Sequence, residues 1–185
     1  MKTLFLCATL LALLSPAAKA AASPAEKQIF DQLNQERQKA GLPAFDWNEL
    51  VADAARRHAA MLAEHAELSH QYPGEPSLPE RIGATGVRFT HAAENVARTE
   101  HLEDVHLALM NSPGHRANML SPKYNATGIG VVERGGKIYV AQDFIFAVPL
   151  YSEEQFSAAF AEGFNQARKS LGAREIGRAS CRERV

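Results

Sequence analysis

The sequence predicts an α+β domain in which helices cover both faces of a small sheet. Several segments before residue 120 carry apolar residues at helical spacing, and the period then changes to that of strands at residues 127–132 and 137–147. The second strand is apolar on both faces, which is typical of a central strand with helices on each side. A chain of 185 residues, 46% of them hydrophobic and 22% charged, is long enough to bury one core.

The first 20 residues predict a secretory signal peptide. Lys2 precedes an apolar run at residues 4–14 that is too short to span a bilayer, and a small-x-small cleavage pattern follows at residues 18–20. We therefore expect a secreted protein, either extracellular or periplasmic.

The C-terminal residues predict a second boundary, between natural sequence and an artefact. Residues 175–185 have no apolar period and resemble the in-frame translation of a sequencing-library adapter, so we interpret them as an artefact rather than a natural basic tail. The main domain is then expected at residues 21–150 and a C-terminal amphipathic helix at residues 151–174. Cys7 and Cys181 both lie in the terminal segments, so the domain depends on packing rather than on a disulfide.

Capping signals predict the first two helices. Residues 23–26 form a capping box with proline at the first helical position, and Gly41 ends that helix. Residues 46–49 form a second cap signal and open a long helix that ends near residues 68–70. The residues at helical spacing on this second helix are Leu50, Ala54, His58, Met61, Leu62 and His65.

The middle of the chain has weaker signals. Residues 71–79 are rich in proline and glycine and predict a loop, with a short helix at residues 79–82. Residues 90–98 show no clear period. A helical stripe at residues 102–110 then leads to Ser112, the expected cap of a short helix.

The two strands predict a hairpin with residues 134–136 as its turn. Gly128 and Gly130 in the first strand indicate a close approach of another backbone.

The C-terminal helix predicted at residues 152–171 carries Phe156, Phe160 and Phe164 at i, i+4 and i+8. We interpret this stripe as core packing rather than as a ligand site.

Three scattered residues are candidates for chemistry: His70, Glu94 and His115. The sequence has no Gly-rich phosphate loop, no His-Glu-x-x-His, no cysteine pair and no Gly-x-Ser-x-Gly elbow. A structural role is an alternative for each, because a buried histidine or glutamate can bond to backbone groups. His115 lies in the first turn of its helix, where the helix dipole lowers the pKa of an imidazole and favours the neutral form that a metal ion requires.

The remaining histidines match no chemical motif. His58 and His65 share a helix face and are interpreted as partly buried packing or surface residues, and Arg116 is expected to point away from His115. The others are His91, His101 and His106.

Short motifs occur in a fixed order along the chain. They are LNQER with GLP (33–43), WNEL with Ala54 and Ala55, LSH (68–70), AENVA (93–97), NSPGHRANML (111–120), TGIGVV (127–132) and YVAQDF (139–144). Each is weak alone, but together they resemble the CAP superfamily of cysteine-rich secretory, antigen 5 and pathogenesis-related proteins (the SCP domain), in its short bacterial form.

This resemblance implies a three-layer α-β-α sandwich with a mainly antiparallel central sheet and a cleft of two histidines with acidic residues. His70 matches the first family histidine, Glu94 the first glutamate and His115 the second histidine. Some members bind zinc through the two histidines, so His70 and His115 are candidate metal ligands. Two imidazoles and the Glu94 carboxylate would leave a position for water. The second glutamate of many eukaryotic members is missing, since residues 107–112 contain no acid.

Three functions follow from these observations. We favour a secreted, non-catalytic binding module for a small apolar, glycan or peptide ligand, because no nucleophile–base–orienter set can be assembled. The second is a metal-assisted hydrolase or peptidase of the envelope, with Glu94 as general base and zinc on His70 and His115. The third is a buried His/Glu network with a structural role only. The formal net charge of −1 favours no nucleic-acid partner, and we expect a monomer without a membrane span.

Overall fold

The computed structural model describes residues 21–149 and 152–174, which form helices and a single four-stranded sheet. The predicted signal peptide and the adapter-like tail lie outside these residues. The elements are α1 (Pro24–Lys39), β1 (Asp46–Trp47), α2 (Glu49–His65), α3 (Leu78–Gly83), β2 (Phe89–Thr99), α4 (Leu102–Asn111), α5 (Pro113–Met119), β3 (Ala126–Arg134), β4 (Lys137–Ala147) and α6 (Glu153–Ser170).

The sheet is mixed but mainly antiparallel. Its strand order is β1-β3-β4-β2, in which β1 runs parallel to β3 while β4 is antiparallel to both β3 and β2. The α+β class and the predominantly antiparallel pairing predicted from the sequence are confirmed. The central position of β4 explains why it carries apolar residues on both faces, because helices cover both of them.

Helices pack on both faces of this sheet. Successive residues of β4 alternate between faces, so that Val140 and Phe144 join a cluster with α1, α4 and α5, whereas Ala141 and Ile145 join clusters with α2 and α3. The sheet therefore lies between two helical layers.

The local signals at the starts of α1 and α2 are confirmed, whereas Ser112 precedes α5 without a side-chain capping bond to any described residue. Ser23 and Glu26 form the expected capping box of α1, and the Asn48 side chain accepts hydrogen bonds from two backbone N–H groups at the start of α2. Gly128 also has the expected role, since a Cβ atom there would lie 2.0 Å from the backbone nitrogen of Ala52 in α2. The close approach of α2 to β3 thus requires glycine.

The sequence analysis did not predict two of the strands. β1 is only two residues long, and β2 falls where residues 90–98 show no period. β2 is an edge strand that carries polar residues on both faces, including the buried Glu94 and Asn95, so its alternation of apolar and polar residues is lost.

The interpretation of the phenylalanine stripe as core packing is wrong. Phe156, Phe160 and Phe164 lie on α6 with 60%, 63% and 45% of their surfaces exposed, and none of the described residues of α6 is buried. Periodicity predicted the helix and its apolar face correctly, but it contains no information about what covers that face.

Candidate functional site

The site is built around the edge strand β2, whose neighbouring residues point to opposite faces of the sheet. Glu94 faces the layer of α2 and α3, where it bonds to Arg81. Asn95 faces α5, where its side-chain amide donates to the backbone oxygen of His115 at 3.1 Å. One dipeptide of a single strand therefore connects the two helical layers.

Glu94 holds His70 in a fixed orientation. The side chain of Glu94 is only 2% exposed, and its Oε1 lies 2.8 Å from Nδ1 of His70, whose own side chain is 64% exposed. With Nδ1 donating to the carboxylate, Nε2 of His70 has no protein partner among the described residues and is available to a ligand. The result is an exposed imidazole that is oriented by a buried carboxylate.

Arg81 in turn fixes Glu94. Its Nη2 donates to the second oxygen of Glu94 at 2.5 Å, while its Nη1 donates to the backbone oxygens of His70 at 3.1 Å and Pro76 at 3.2 Å. One buried guanidinium thus holds both the carboxylate and the backbone of the histidine that the carboxylate orients.

His58 belongs to the same buried group, which corrects its interpretation as a packing or surface residue. The imidazole is fully buried, with Nδ1 2.7 Å from Oε1 of Glu75 and Nε2 2.9 Å from the backbone oxygen of Ser69. Nε2 also lies 3.6 Å from Glu94. Glu75 also accepts the backbone N–H of Tyr72 at 2.9 Å. Through Glu75 and Ser69, His58 therefore anchors to helix α2 the loop that contains His70.

Asp143 is the most buried acid of the site. It lies directly opposite Glu94 in the pairing of β2 with β4, and neither of its carboxylate oxygens has a hydrogen-bond donor among the described residues. Burial, followed by the negative charge of Glu94, raises its pKa well above the ordinary range, while Arg81 opposes that shift. Burial beside the carboxylate of Glu94 therefore favours the protonated form of Asp143.

His115 lies in the first turn of α5, as predicted, and is half-buried. Its pKa is lowered, first by burial and then by the charge of His70. The predicted direction is confirmed, and burial is its largest cause. The charges of His70 and His115 are close enough to interact, and the surface between these two imidazoles is called the cleft below; the neighbouring Arg116 is exposed.

The remaining histidines lie outside this cleft. His65 is exposed and stacks on Tyr72, with ring centroids 4.0 Å apart. His106 is half-buried near Glu36, at 3.8 Å. His91 and His101 are exposed.

The residues present do not fit a zinc site with three protein ligands. Glu94 directs its oxygens at His70 and Arg81, so it is an outer partner of an imidazole rather than the third ligand that the resemblance implied. Within residues 21–149 and 152–174, no three His, Cys, Asp or Glu side chains are grouped so that they could hold a metal ion. His70 and His115 could supply two imidazoles at most.

A groove of about 420 Å³ lies between the end of α4 and α5, the helix that carries His115. Its lining mixes apolar and polar side chains: Met110, Asn111, Pro113, Arg116, Ala117 and Leu120. Pro113, Arg116, Ala117 and Leu120 recur at helical spacing, so the groove lies on the side of α5 away from His115.

Known proteins resemble this chain in sequence and in fold. The model of the cysteine-rich secretory protein family (CAP) matches residues 30–148. Two Bacillus subtilis proteins are each 34% identical to this chain. The match to YkwD spans 119 residues, which are 64% of this chain and 46% of YkwD. The match to the membrane protein YlbC spans 123 residues, which are 65% of this chain and 34% of YlbC. The match therefore spans less than half the length of these relatives.

Solved structures share the fold. An extracellular Bacillus anthracis protein containing an SCP domain is 29% identical with a TM-score of 0.59, over 68% of this chain and 44% of that one. An outer surface protein of Borrelia burgdorferi, 18% identical, has a TM-score of 0.63 over 67% and 93% of the two chains, which shows the fold alone. Among the described residues, no helix is long and apolar enough to cross a membrane.

Proposed function

Since the chain belongs to the cysteine-rich secretory protein (CAP) family, we propose that it is a secreted binding module whose cleft between His70 and His115 takes a polar glycan or peptide. The proposal of secretion rests on the signal pattern at residues 1–20 and on the extracellular relative from Bacillus anthracis. The site itself carries the proposal of binding.

The observation that carries it is the contrast between His70 and the group beneath it. A histidine with a purely structural role would be buried like His58, whereas His70 exposes 64% of its side chain and is nevertheless oriented at 2.8 Å by a carboxylate that is 2% exposed. A fixed imidazole loses little entropy when it bonds to a ligand, so it favours binding. Because the cleft presents two imidazoles, its chemistry favours a polar ligand over a lipid.

Catalysis has less support from the same contacts. The general base of the hydrolase hypothesis would be Glu94, but both of its oxygens are engaged, by His70 and Arg81, and its side chain is buried. A carboxylate in this position orients its neighbours and has no access to a water at the surface.

The test is a titration of the purified chain with soluble cell-wall glycan fragments, short peptides and fatty acids, followed through the histidine ring signals in NMR spectra. We expect a glycan or peptide to shift the signals of His70 and His115 together, and His70→Ala to weaken binding about tenfold or more. His101→Ala is the matched control, since His101 is exposed but lies outside the cleft. If only fatty acids shift these signals, the ligand is a lipid rather than a glycan or peptide.

A second candidate is a metal-assisted hydrolase, and one observation favours it. A histidine that bonds through Nδ1 to a carboxylate, as His70 does to Glu94, is the usual partner arrangement of a metal-binding imidazole. Calorimetric titration with zinc of the wild type, His70→Ala and His115→Ala separates the two functions. With two imidazoles as the only ligands, we expect weak binding or none. Stoichiometric binding lost in both variants would favour the hydrolase.

A further inference from the structure

Helix α6 presents an apolar face that the described residues of the chain leave exposed. The rings of Phe156, Phe160 and Phe164 form a flat ladder, with centroids 6.3 Å and 6.0 Å apart and planes within 22° and 11° of parallel. They are 45–63% exposed. The helix itself is well specified, since Ser152 and Gln155 form a capping box at its start. A contiguous aromatic stripe on a capped helix marks an interaction surface.

Charges at the two ends of the stripe have opposite signs. Glu153 and Glu154 lie in the first turn, and Arg168 and Lys169 lie in the last turn. Glu153 is three residues before Phe156, while Arg168 is four residues after Phe164 and places its guanidinium 5.9 Å from that ring. Residues three and four apart share a helix face, so an acid and a base border the same stripe.

We propose that the occupant of this face is α6 of a second copy of the chain, packed antiparallel and centred on Phe160. In that arrangement Phe160 meets itself across the two-fold axis and Phe156 meets Phe164 of the second copy. The register also places Glu153 opposite Arg168 at both ends, because the two residues are nearly equidistant from Phe160. The oppositely directed helix dipoles favour the same orientation.

The extent of the stripe predicts a weak dimer. A phenylalanine buries about 150–250 Å² when it is covered completely, so these partly exposed rings contribute on the order of 300 Å² per helix. This is below the roughly 800 Å² per partner of a stable interface, and it places the dimer among concentration-dependent associations. The monomer expected from the sequence is then the form at low concentration.

A membrane surface fits the same helix less well. Interfacial helices carry an excess of lysine and arginine on their polar face, which attracts anionic lipids. In α6 the acids Glu153, Glu154 and Glu162 offset the bases Arg168 and Lys169. The separation of charge along the helix is what an antiparallel partner requires, whereas a uniformly anionic surface would repel one end.

The first test is the mass of the full chain measured by sedimentation velocity from low to high micromolar concentration. We expect the mass to approach twice that of the monomer in the wild type and in Ala158→Glu, whose new charge lies on the opposite side of α6. Phe160→Glu should weaken dimerisation about tenfold or more, because it buries an unpaired charge at the centre of the stripe. A monomeric wild type at every concentration would overturn the proposal.

Charge reversal tests the orientation. Glu153→Lys with Glu154→Lys makes both ends of α6 basic, and Arg168→Glu with Lys169→Glu makes both ends acidic. We expect each of these variants alone to dimerise less than the wild type, and an equimolar mixture of the two to recover dimers. Equal dimerisation of all three samples would overturn the antiparallel pairing. If the chain stays monomeric and binds vesicles of phosphatidylcholine and phosphatidylglycerol, and Phe160→Glu abolishes that binding, the face binds a membrane rather than a second copy.

Discussion

The two faces of the sheet are packed by different chemistry. The layer of α1, α4 and α5 meets the sheet mainly through apolar side chains that are at most 1% exposed, among them Ile29, Leu33, Leu109, Met119 and Phe144. The buried polar side chains Arg37 and Asn95 on this face donate to backbone oxygens or to an amide and pair with no buried carboxylate among the described residues. The layer of α2 and α3 adds a charged group to its apolar contacts, composed of His58, Glu75, Arg81, Glu94 and Asp143. Apolar contacts need only matching volume, whereas the charged group needs partners from several elements at fixed distances. The exposed histidine of the cleft lies over the face where geometry is more tightly specified.

The largest expected effect comes from removing the arginine that pairs with both buried glutamates of the described charged group. Arg81→Met keeps much of the side-chain volume but leaves Glu94 and Glu75 buried without their guanidinium partner. We expect the free energy of unfolding in urea to fall by about 4 kcal/mol, the usual cost of breaking a buried ion pair. Arg57→Met is the control, because Arg57 is exposed on α2. Equal losses in the two variants would mean that the charged group does not depend on its pairing.

A substitution on the opposite face should destabilise the protein by creating a cavity rather than by leaving a buried charge unpaired. Leu33→Ala removes a fully buried side chain from α1 and is expected to lower the free energy of unfolding by about 3 kcal/mol. Leu107→Ala in α4 should change it by less than about 0.5 kcal/mol, since that leucine is 61% exposed. A loss at Leu33 that varied strongly with pH would contradict the apolar character assigned to this face.

The contrast between the faces also explains what sequence could predict. Capping residues act within four positions, so Ser23 and Asn48 gave the starts of α1 and α2 correctly. His58 was misread because helical spacing places it on the buried face of α2, while its partner Glu75 is 17 residues away on a loop. No local pattern connects the two residues.

The candidate site was predicted in the same uneven way. Motif resemblance identified His70, Glu94 and His115, and the contact between His70 and Glu94 is present. Arg81 was missed because it lies in a six-residue helix with no motif, and it changes the role expected of Glu94 from metal ligand to orienting group. Asp143 had one available signal: an acid inside an otherwise apolar central strand must be neutralised or paired.

A smaller effect should distinguish the two faces through the change of the free energy of unfolding with pH. Because the pKa of Asp143 is raised in the folded protein, its contribution to stability is complete below the ordinary aspartate pKa of about 3.9 and is lost as pH rises toward the folded value. Asp143→Asn cannot ionise, and its amide can donate to Glu94. We expect the variant to gain on the wild type as pH rises, by roughly 1.4 kcal/mol for each unit between the folded and unfolded pKa values.

Urea unfolding at several pH values measures this difference. Asp104→Asn serves as the control, since Asp104 is exposed in α4 and should show no comparable gain. A constant difference between Asp143→Asn and the wild type across the pH range would mean that Asp143 is not protonated beside Glu94.

The smallest expected effect concerns His115, and it has the opposite sign. Its folded pKa is lowered, so its contribution to stability is present above the ordinary imidazole value of about 6.5 and is lost as pH falls. NMR titration of the ring should give a midpoint below that value. His70→Gln should raise the midpoint only part of the way, because burial is the larger cause and the charge of His70 the smaller. An unchanged midpoint would show that the two imidazoles do not face each other, and the cleft that joins the two layers would then have no basis.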